Sequence, residues 1–233
     1  MDKYCFGVDL GGTTVKIGLF SIEGQLQDKW EIPTRTENHG AEILSDIAAS
    51  IQRRMDTGHL SKEQVTGIGI GVPGPVLNEN IVQGCVNLGW GNVRVADELS
   101  ALTGLKVKAA NDANVAALGE QWQGGGKGFQ NLVMFTLGTG GGGGIIQNGR
   151  IISGANGAAG EIGHMVIVDS DEVVGTCGCG HRGCLEQVAS ATGIVNLTEK
   201  KLAECSQDSV LRDISPLTAK DVLDAAKAGD ALA

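Results

Sequence analysis

The chain has 233 residues, with 27 acidic against 18 basic side chains, a formal net charge of -9 and 42% hydrophobic residues. This length holds one large domain or two modest ones, each with its own core, and the acidic balance argues against nucleic acid or anionic lipid as the main partner while leaving room for a local phosphate site. Thirty-seven glycines without a collagen period, beside only four prolines, belong to turns and close backbone approaches in a folded protein.

Residues 4–10 (YCFGVDL), 15–20 (VKIGLF) and 24–34 (GQLQDKWEIPT) read as strands of a hairpin meander. Residues 41–55 show helical spacing, with Ile43 or Leu44, Ile47 and Ile51 on one face. A strand at 64–76 runs into a Gly/Pro loop. A helix at 95–104 is closed by Gly104, a strand follows at 105–112, and ANVAALGEQW continues as a helix. LVMFTLG at 132–138 reads as a buried strand and 142–154 as a second hairpin; from 185 the chain is mostly helical, with Thr218 and Asp221 as a capping box. The strand–glycine turn–strand device at 7–20 thus recurs at 135–147. The pattern predicts two related α/β lobes with a cleft between them, residues 1–110 and 111–233, the change falling near 110–130.

No segment approaches the roughly 18 apolar residues of a membrane span, and the N-terminus has no basic region followed by a long apolar run. Six cysteines are too thinly spread for a disulfide scaffold, so a reduced, cytoplasmic protein is expected, without a membrane or nucleic-acid partner.

Two glycine loops carry the first chemical signal. In DLGGTTVKIG, Asp9 ends a strand, Gly11 and Gly12 let bare backbone N–H groups approach an anion, Thr13 and Thr14 add hydroxyls, and Lys16 follows. Asp9 would hold Mg2+ directly or through water; a tight hairpin with an Asp cap is an equal reading. LGTGGGGGII, with Thr139 and Gly140 at its turn, matches G-x-G-x-x-G only loosely, because a β-rich run rather than a helix follows. GGGKG at 124–128 is no Walker A loop, since Gly128 follows Lys127. Two Gly/Thr loops after strands, one per lobe, suit the two ends of a polyphosphate.

Asn111 and Asp112 stand at a strand-to-helix junction. They read either as an N-cap pair or as a general base for a substrate hydroxyl. His164, Cys177, Cys179 and Cys184 offer one imidazole and three thiolates, a closed tetrahedral zinc set, although the C-x-C spacing is tighter than in common zinc fingers. His181 competes for the fourth place, and His164 is preferred because His181 follows Cys179 too closely to close the tetrahedron.

These motifs, DLGGTTVKIG, GIGVPGPV (69–76), NLGW (87–90), NDANVAALGE (111–120), LGTGGGGGII, GEIGH (160–164) and CGCGHRGCLE (177–186), occur in one order along nearly the whole chain. Together they resemble the bacterial ROK family of sugar kinases and repressors, its glucokinase branch most closely. The resemblance implies an actin-like, hexokinase-like (ribonuclease H-like) α/β fold and ATP-dependent phosphorylation of glucose to glucose 6-phosphate. It implies Asp112 as catalytic base; Gly74, Asn87, Asn111, Asp112, Glu161, His164 and Glu186 on the sugar side; and Asp9, Gly11, Gly12, Thr13, Thr14, Lys16, Thr139 and Gly140 on the nucleotide side. It also implies ATP, Mg2+ and a structural Zn2+ held by His164, Cys177, Cys179 and Cys184, with the second ring nitrogen of His164 facing a sugar hydroxyl. A homodimer comes with it for the full-length protein. Fructose, mannose or N-acetylmannosamine are the alternative acceptors. A sugar-sensing regulator without catalysis is the alternative of another class, disfavoured by an intact Asp112 and by a start at the first strand with no helix-turn-helix before it. A zinc-stabilised binding module is a third, against which the phosphate loops weigh. Family members run longer, so the end at GDALA is expected to stop short of a further glycine turn near the nucleotide base and of closing helices.

Overall fold

The computed structural model describes residues 3–233. They divide into two compact units, residues 3–132 with 145–159, and residues 133–144 with 160–233.

The first unit is built on a five-stranded sheet. Its strands are Tyr4–Leu10 (β1), Thr14–Ser21 (β2), Leu26–Pro33 (β3), Val65–Val72 (β4) and, after three short strands described below, Val107–Asn111 (β8), in the order β3-β2-β1-β4-β8. The first three form the expected antiparallel meander, while β4 and β8 run parallel to β1. Alternation decides which face is covered: Phe6, Val8 and Leu10 of β1 and Val15, Ile17 and Leu19 of β2 all point into one core. After a one-turn segment, Glu37–Gly40 (α1), helix Ile43–Thr57 (α2) presents Ile43, Leu44, Ile47, Ile51 and Met55 to that core. Helix Val95–Thr103 (α3) adds Val95 and Leu99 and packs on α2; as expected, it ends on Gly104 in the left-handed region, φ +71°. Full burial of each such Ile or Leu contributes about 1.5–3 kcal/mol.

Between β4 and α3 lies a small antiparallel sheet, Val76–Leu77 (β5), Ile81–Cys85 (β6) and Trp90–Arg94 (β7). The hydrophobic pattern did not predict it, because its strands are two to five residues long and broken by Gly84 and Gly91. Helix Asp112–Gln123 (α4) packs against β4 and β8, so residues 111–132, read from sequence with the second lobe, sit in the first unit. The sheet face opposite α2 carries Gly7, Asp9, Lys16, Gly18 and Gly69; with Val115 and Leu118 of α4 these line a groove of ≈ 900 Å³.

The second unit contains most of Leu132–Leu137 (β9) and the start of Gly141–Gln147 (β10). Arg150–Ile151 (β11) completes a three-stranded sheet ordered β11-β10-β9, with β9 at one end. Val133, Phe135 and Leu137 alternate along β9 and are all exposed. Helices Leu185–Ala189 (α5), Ala191–Glu204 (α6) and Ala219–Lys227 (α7) follow, with a small core of Leu211, Val222 and Ala225 against Ile194, Leu202 and Leu217. The capping box of Thr218 and Asp221 is present at the start of α7. Among the described residues, no helix is long and apolar enough to cross a membrane.

Ile47 has no exposed surface and sits in the α2 stripe. Ile47→Ala is expected to cost about 2–5 kcal/mol, read as a lower urea midpoint with an unchanged slope.

Candidate functional site

In the first unit, strand ends converge by register. Asp9 pairs with Lys16 on one side and Gly71 on the other, and Gly71 pairs with Ala110. Beyond this row the β1–β2 turn, 11–14, closes through the Gly11 N–H to the Thr14 carbonyl at 3.1 Å. Thr34 pins it from β3: its hydroxyl donates to the Gly11 carbonyl at 2.7 Å and its N–H to the Thr13 carbonyl at 2.9 Å. Gly12 and Thr13 are exposed at the tip. Lys16 Nζ stands 4.0 Å from Asp9 Oδ2, both largely exposed, so the lysine's charge is partly spent on Asp9.

Asn111 ends β8 and is the N-cap of α4. Its Oδ1 accepts the Asn114 N–H at 3.2 Å, and its Nδ2 donates to the Gly74 carbonyl at 3.2 Å. Gly74 holds a left-handed φ of +92° that disfavours any side chain. Asp112 follows at the first turn, its carboxylate accepting the Ala113 N–H at 2.8 Å. The cap and general-base readings therefore do not compete: Asn111 caps, and Asp112 remains solvent-accessible. Although the residue is exposed, the neighbouring chain at the β8–α4 junction partly desolvates the Asp112 carboxyl and raises it above its ordinary value; the Ala113 N–H opposes this and the negative charge of Asp9 adds to it. A carboxylate so raised is a better proton acceptor when ionised.

Asn87 sits exposed on a 3-10 turn, Val86–Leu88, that follows β6. The turn is anchored just past Asn87: Leu88 is wholly buried, and the buried Trp90 donates its indole N–H to the Gly40 carbonyl at 3.2 Å. Burial pushes the Cys85 thiol up, the Leu88 and Asn87 N–H groups oppose this, and the charge of Asp112 adds to it.

In the second unit, donor atoms of His164, Cys177, Cys179 and Cys184 lie within 4.8 Å of one another. Cys179 and Cys184 sulfurs are 3.6 Å apart, and Cys177 Sγ is 3.3 Å from His164 Nδ1. A tetrahedron with bonds near 2.3 Å has edges of roughly 3.8 Å, so the donor set fits a closed zinc site. His181 Nδ1 is 3.6 Å from Cys179 but lies outside this four-donor group. The thiols differ in acidity. Burial and the contact with Glu186 push Cys177 far up, and burial also raises Cys184. The His181 backbone N–H, then Cys177, lower Cys179 to about 6. His164 turns Nδ1 toward Cys177 and places Nε2 3.8 Å from Glu161 Oε2. Glu186 receives the Cys177 thiol on Oε1 at 2.9 Å and the Gly141 N–H on Oε2 at 3.2 Å. Because a metal-bound thiolate donates no proton, metal loading would release Oε1 as an acceptor.

The first unit thus gathers Asp9, Gly11, Gly12, Thr13 and Thr14 at one turn, with Gly74, Asn111 and Asp112 at the β8–α4 junction. The second gathers Glu161, His164 and Glu186 around the cysteines, with Thr139 and Gly140 exposed at the β9–β10 turn. Sequence reasoning missed Thr34 and Trp90. Each works through a partner distant in sequence, so no local signal marks it.

Residues 5–231 match the ROK family model. A glucokinase of Halalkalibacterium halodurans is 44% identical over the whole of this chain, which spans 71% of that protein. One of Thermotoga maritima is 39% identical over 97% of the chain, again across 71% of the relative. The crystal structure of a ROK family glucokinase from Streptomyces griseus in complex with glucose and AMPPNP superposes with a TM-score of 0.71 at 31% identity, over 98% of this chain and 72% of that one. The α/β architecture is accordingly that of the hexokinase-like sugar kinases, within the actin-like fold.

Cys179→Ser in the natural protein is expected to remove most of the bound zinc, read by elemental analysis, and to weaken sugar binding in parallel. Unchanged zinc content would count against the four-donor site.

Proposed function

The chain belongs to the ROK family, and from that premise we propose that it phosphorylates glucose on its 6-hydroxyl at the expense of ATP. The single observation that carries the reading is Asp112: an accessible carboxylate at a helix start, fixed by the Ala113 N–H and beside the Asn111–Gly74 hydrogen bond. Identity of 44% to a glucokinase favours glucose as acceptor.

In the proposed reaction the sugar oxygen attacks the γ-phosphorus, the bond from that phosphorus to the bridging oxygen breaks, and ADP leaves. Asp112 accepts the hydroxyl proton as the new P–O bond forms. The family resemblance assigns Asp112, Asn111, Asn87, the Gly74 loop, Glu161, Glu186 and His164 Nε2 to the sugar, and Gly12, Thr13, the Asp9 side, Thr139 and Gly140 to the phosphates. Backbone N–H groups and hydroxyls of the phosphate-side residues would meet the charge on the transferring oxygens. Asp9 would hold Mg2+ directly or through water, and the ion would add charge neutralisation there.

Zinc on His164, Cys177, Cys179 and Cys184 is structural in this proposal. All four positions are filled by protein, which leaves none for substrate. Its work is to hold the 160–186 segment so that Glu161, His164 and Glu186 face one ligand. A cytoplasmic setting and a homodimer belong to the same proposal.

Asp112→Asn is expected to lower kcat at least about 100-fold while glucose still binds, measured by turnover and by calorimetry; near-normal kcat sinks the assignment. In the unsubstituted protein, kcat/KM should fall toward acid through a group titrating above the ordinary aspartate value of 3.8, since the base acts only when ionised. A panel of glucose, fructose, mannose and N-acetylmannosamine with ATP and Mg2+ should show transfer to glucose over the others. A melting shift with sugar but no transfer would favour a sensor instead.

A further inference from the structure

The β9–β10 turn and the segment that carries Glu161 and His164 meet through bare backbone. A Cβ on Gly163 would overlap the Gly141 carbonyl oxygen, and one on Gly141 would lie 3.1 Å from Glu186 Cβ and 3.3 Å from Gly163 Cα. Neither glycine holds a positive φ. What each supplies is therefore space, not an unusual backbone conformation. Gly143 is equally tight, since a Cβ there would overlap the Ile162 side chain.

Two hydrogen bonds fasten the shoulders of the same turn. The Ala191 N–H, at the start of α6, donates to the Gly138 carbonyl at 2.9 Å. The Gly141 N–H donates to Glu186 Oε2 at 3.2 Å. Thr139 and Gly140 stand exposed between these two fixed points. Glu186 lies two residues beyond Cys184, and Gly163 lies between Ile162 and His164. The turn is thereby braced directly by the segments that the cysteine cluster holds.

We propose that the 138–141 turn and the 160–164 segment move as one piece, joined by Gly163, Glu186 and Ala191, so that filling the sugar side sets the turn that grips the nucleotide phosphates. Sugar then tightens nucleotide binding, and nucleotide tightens sugar binding by the same factor. Gly163 and Ala191 are positioning residues, and their role rests on the assignment of these two segments to sugar and to nucleotide.

The test compares the Kd of a non-hydrolysable ATP analogue without and with saturating glucose, in the natural protein and two variants. Gly163→Ala wedges the contact. Ala191→Pro deletes one N–H at the first helical position, where proline is tolerated, and serves alone if Gly163→Ala does not fold. In the natural protein glucose should tighten the analogue by about 5-fold or more. In the variants that ratio should fall toward one and KM for ATP should rise, with zinc content retained. An undiminished ratio in the folded, zinc-loaded variants, or no ratio in the natural protein, overturns the proposal. Hydrogen exchange of amides 138–144 in the same proteins needs no turnover. Slower exchange in the natural protein than in the variants supports the brace, and equal exchange refutes it. If the natural protein transfers phosphate to no sugar, the kinase reading fails by itself, and the brace stands or falls on the exchange data.

Discussion

Parallel pairing of β1, β4 and β8 brings Asp9, Gly71 and Ala110 into one row, and the polar end of the first unit depends on that row. Each strand finishes one residue past it, at Leu10, Val72 or Asn111, so three strand ends deliver a turn, a loop and a helix start to one edge of the sheet. A Cβ on Gly71 would lie 3.6 Å from Asp112 Cα, ordinary van der Waals contact, so the row packs closely against the start of α4. A slip of one residue in β8 would shift Asp112 by about 3.3 Å and turn the strand's buried face outward. Register is held against such a slip by the apolar alternation beneath it, Ile68 and Ile70 of β4 and Ala109 of β8 in the common core.

The same edge carries an electrostatic cost. Asp9 and Asp112 bear like charge, and both burial and that repulsion raise the Asp112 carboxyl. A carboxyl whose folded value is raised makes the folded state less stable once it ionises; the penalty is present above the folded value and disappears as pH falls below the unfolded one. The large apolar core under α2 and α3 offsets it. The second unit, with a much smaller core of Leu211, Val222 and Ala225, places its polar groups around a cysteine cluster instead. There a metal ion would substitute for the buried apolar area that the unit lacks.

Much of this was legible in the chain itself. The β1–β2 hairpin, the α2 stripe and the Gly104 stop follow from periods of 2 and 3.6 and from glycine at a helix end, all local signals. The cysteine set was legible as a donor set because thiolate and imidazole chemistry is narrow. Spacing alone left His181 open beside the preferred His164, and the structure draws His164 into the four-donor group. The β5–β7 sheet was not legible, since strands of two to five residues carry too few alternations to register a period. Nor was the placement of α4, because Asp112–Gln123 has a weak apolar stripe and its partner strands β4 and β8 are fixed only by tertiary pairing. Roles that depend on contact at a distance, such as Thr34 under the Gly11 turn or Gly163 against Gly141, leave no mark in a linear reading.

Strand β9 lies at the end of its sheet among the described residues, and Val133, Phe135 and Leu137 are exposed along it. No lysine or proline interrupts LVMFTL. An end strand of this kind offers unpaired backbone groups beside an apolar row, so its open side is where a further strand would find both hydrogen-bond partners and packing.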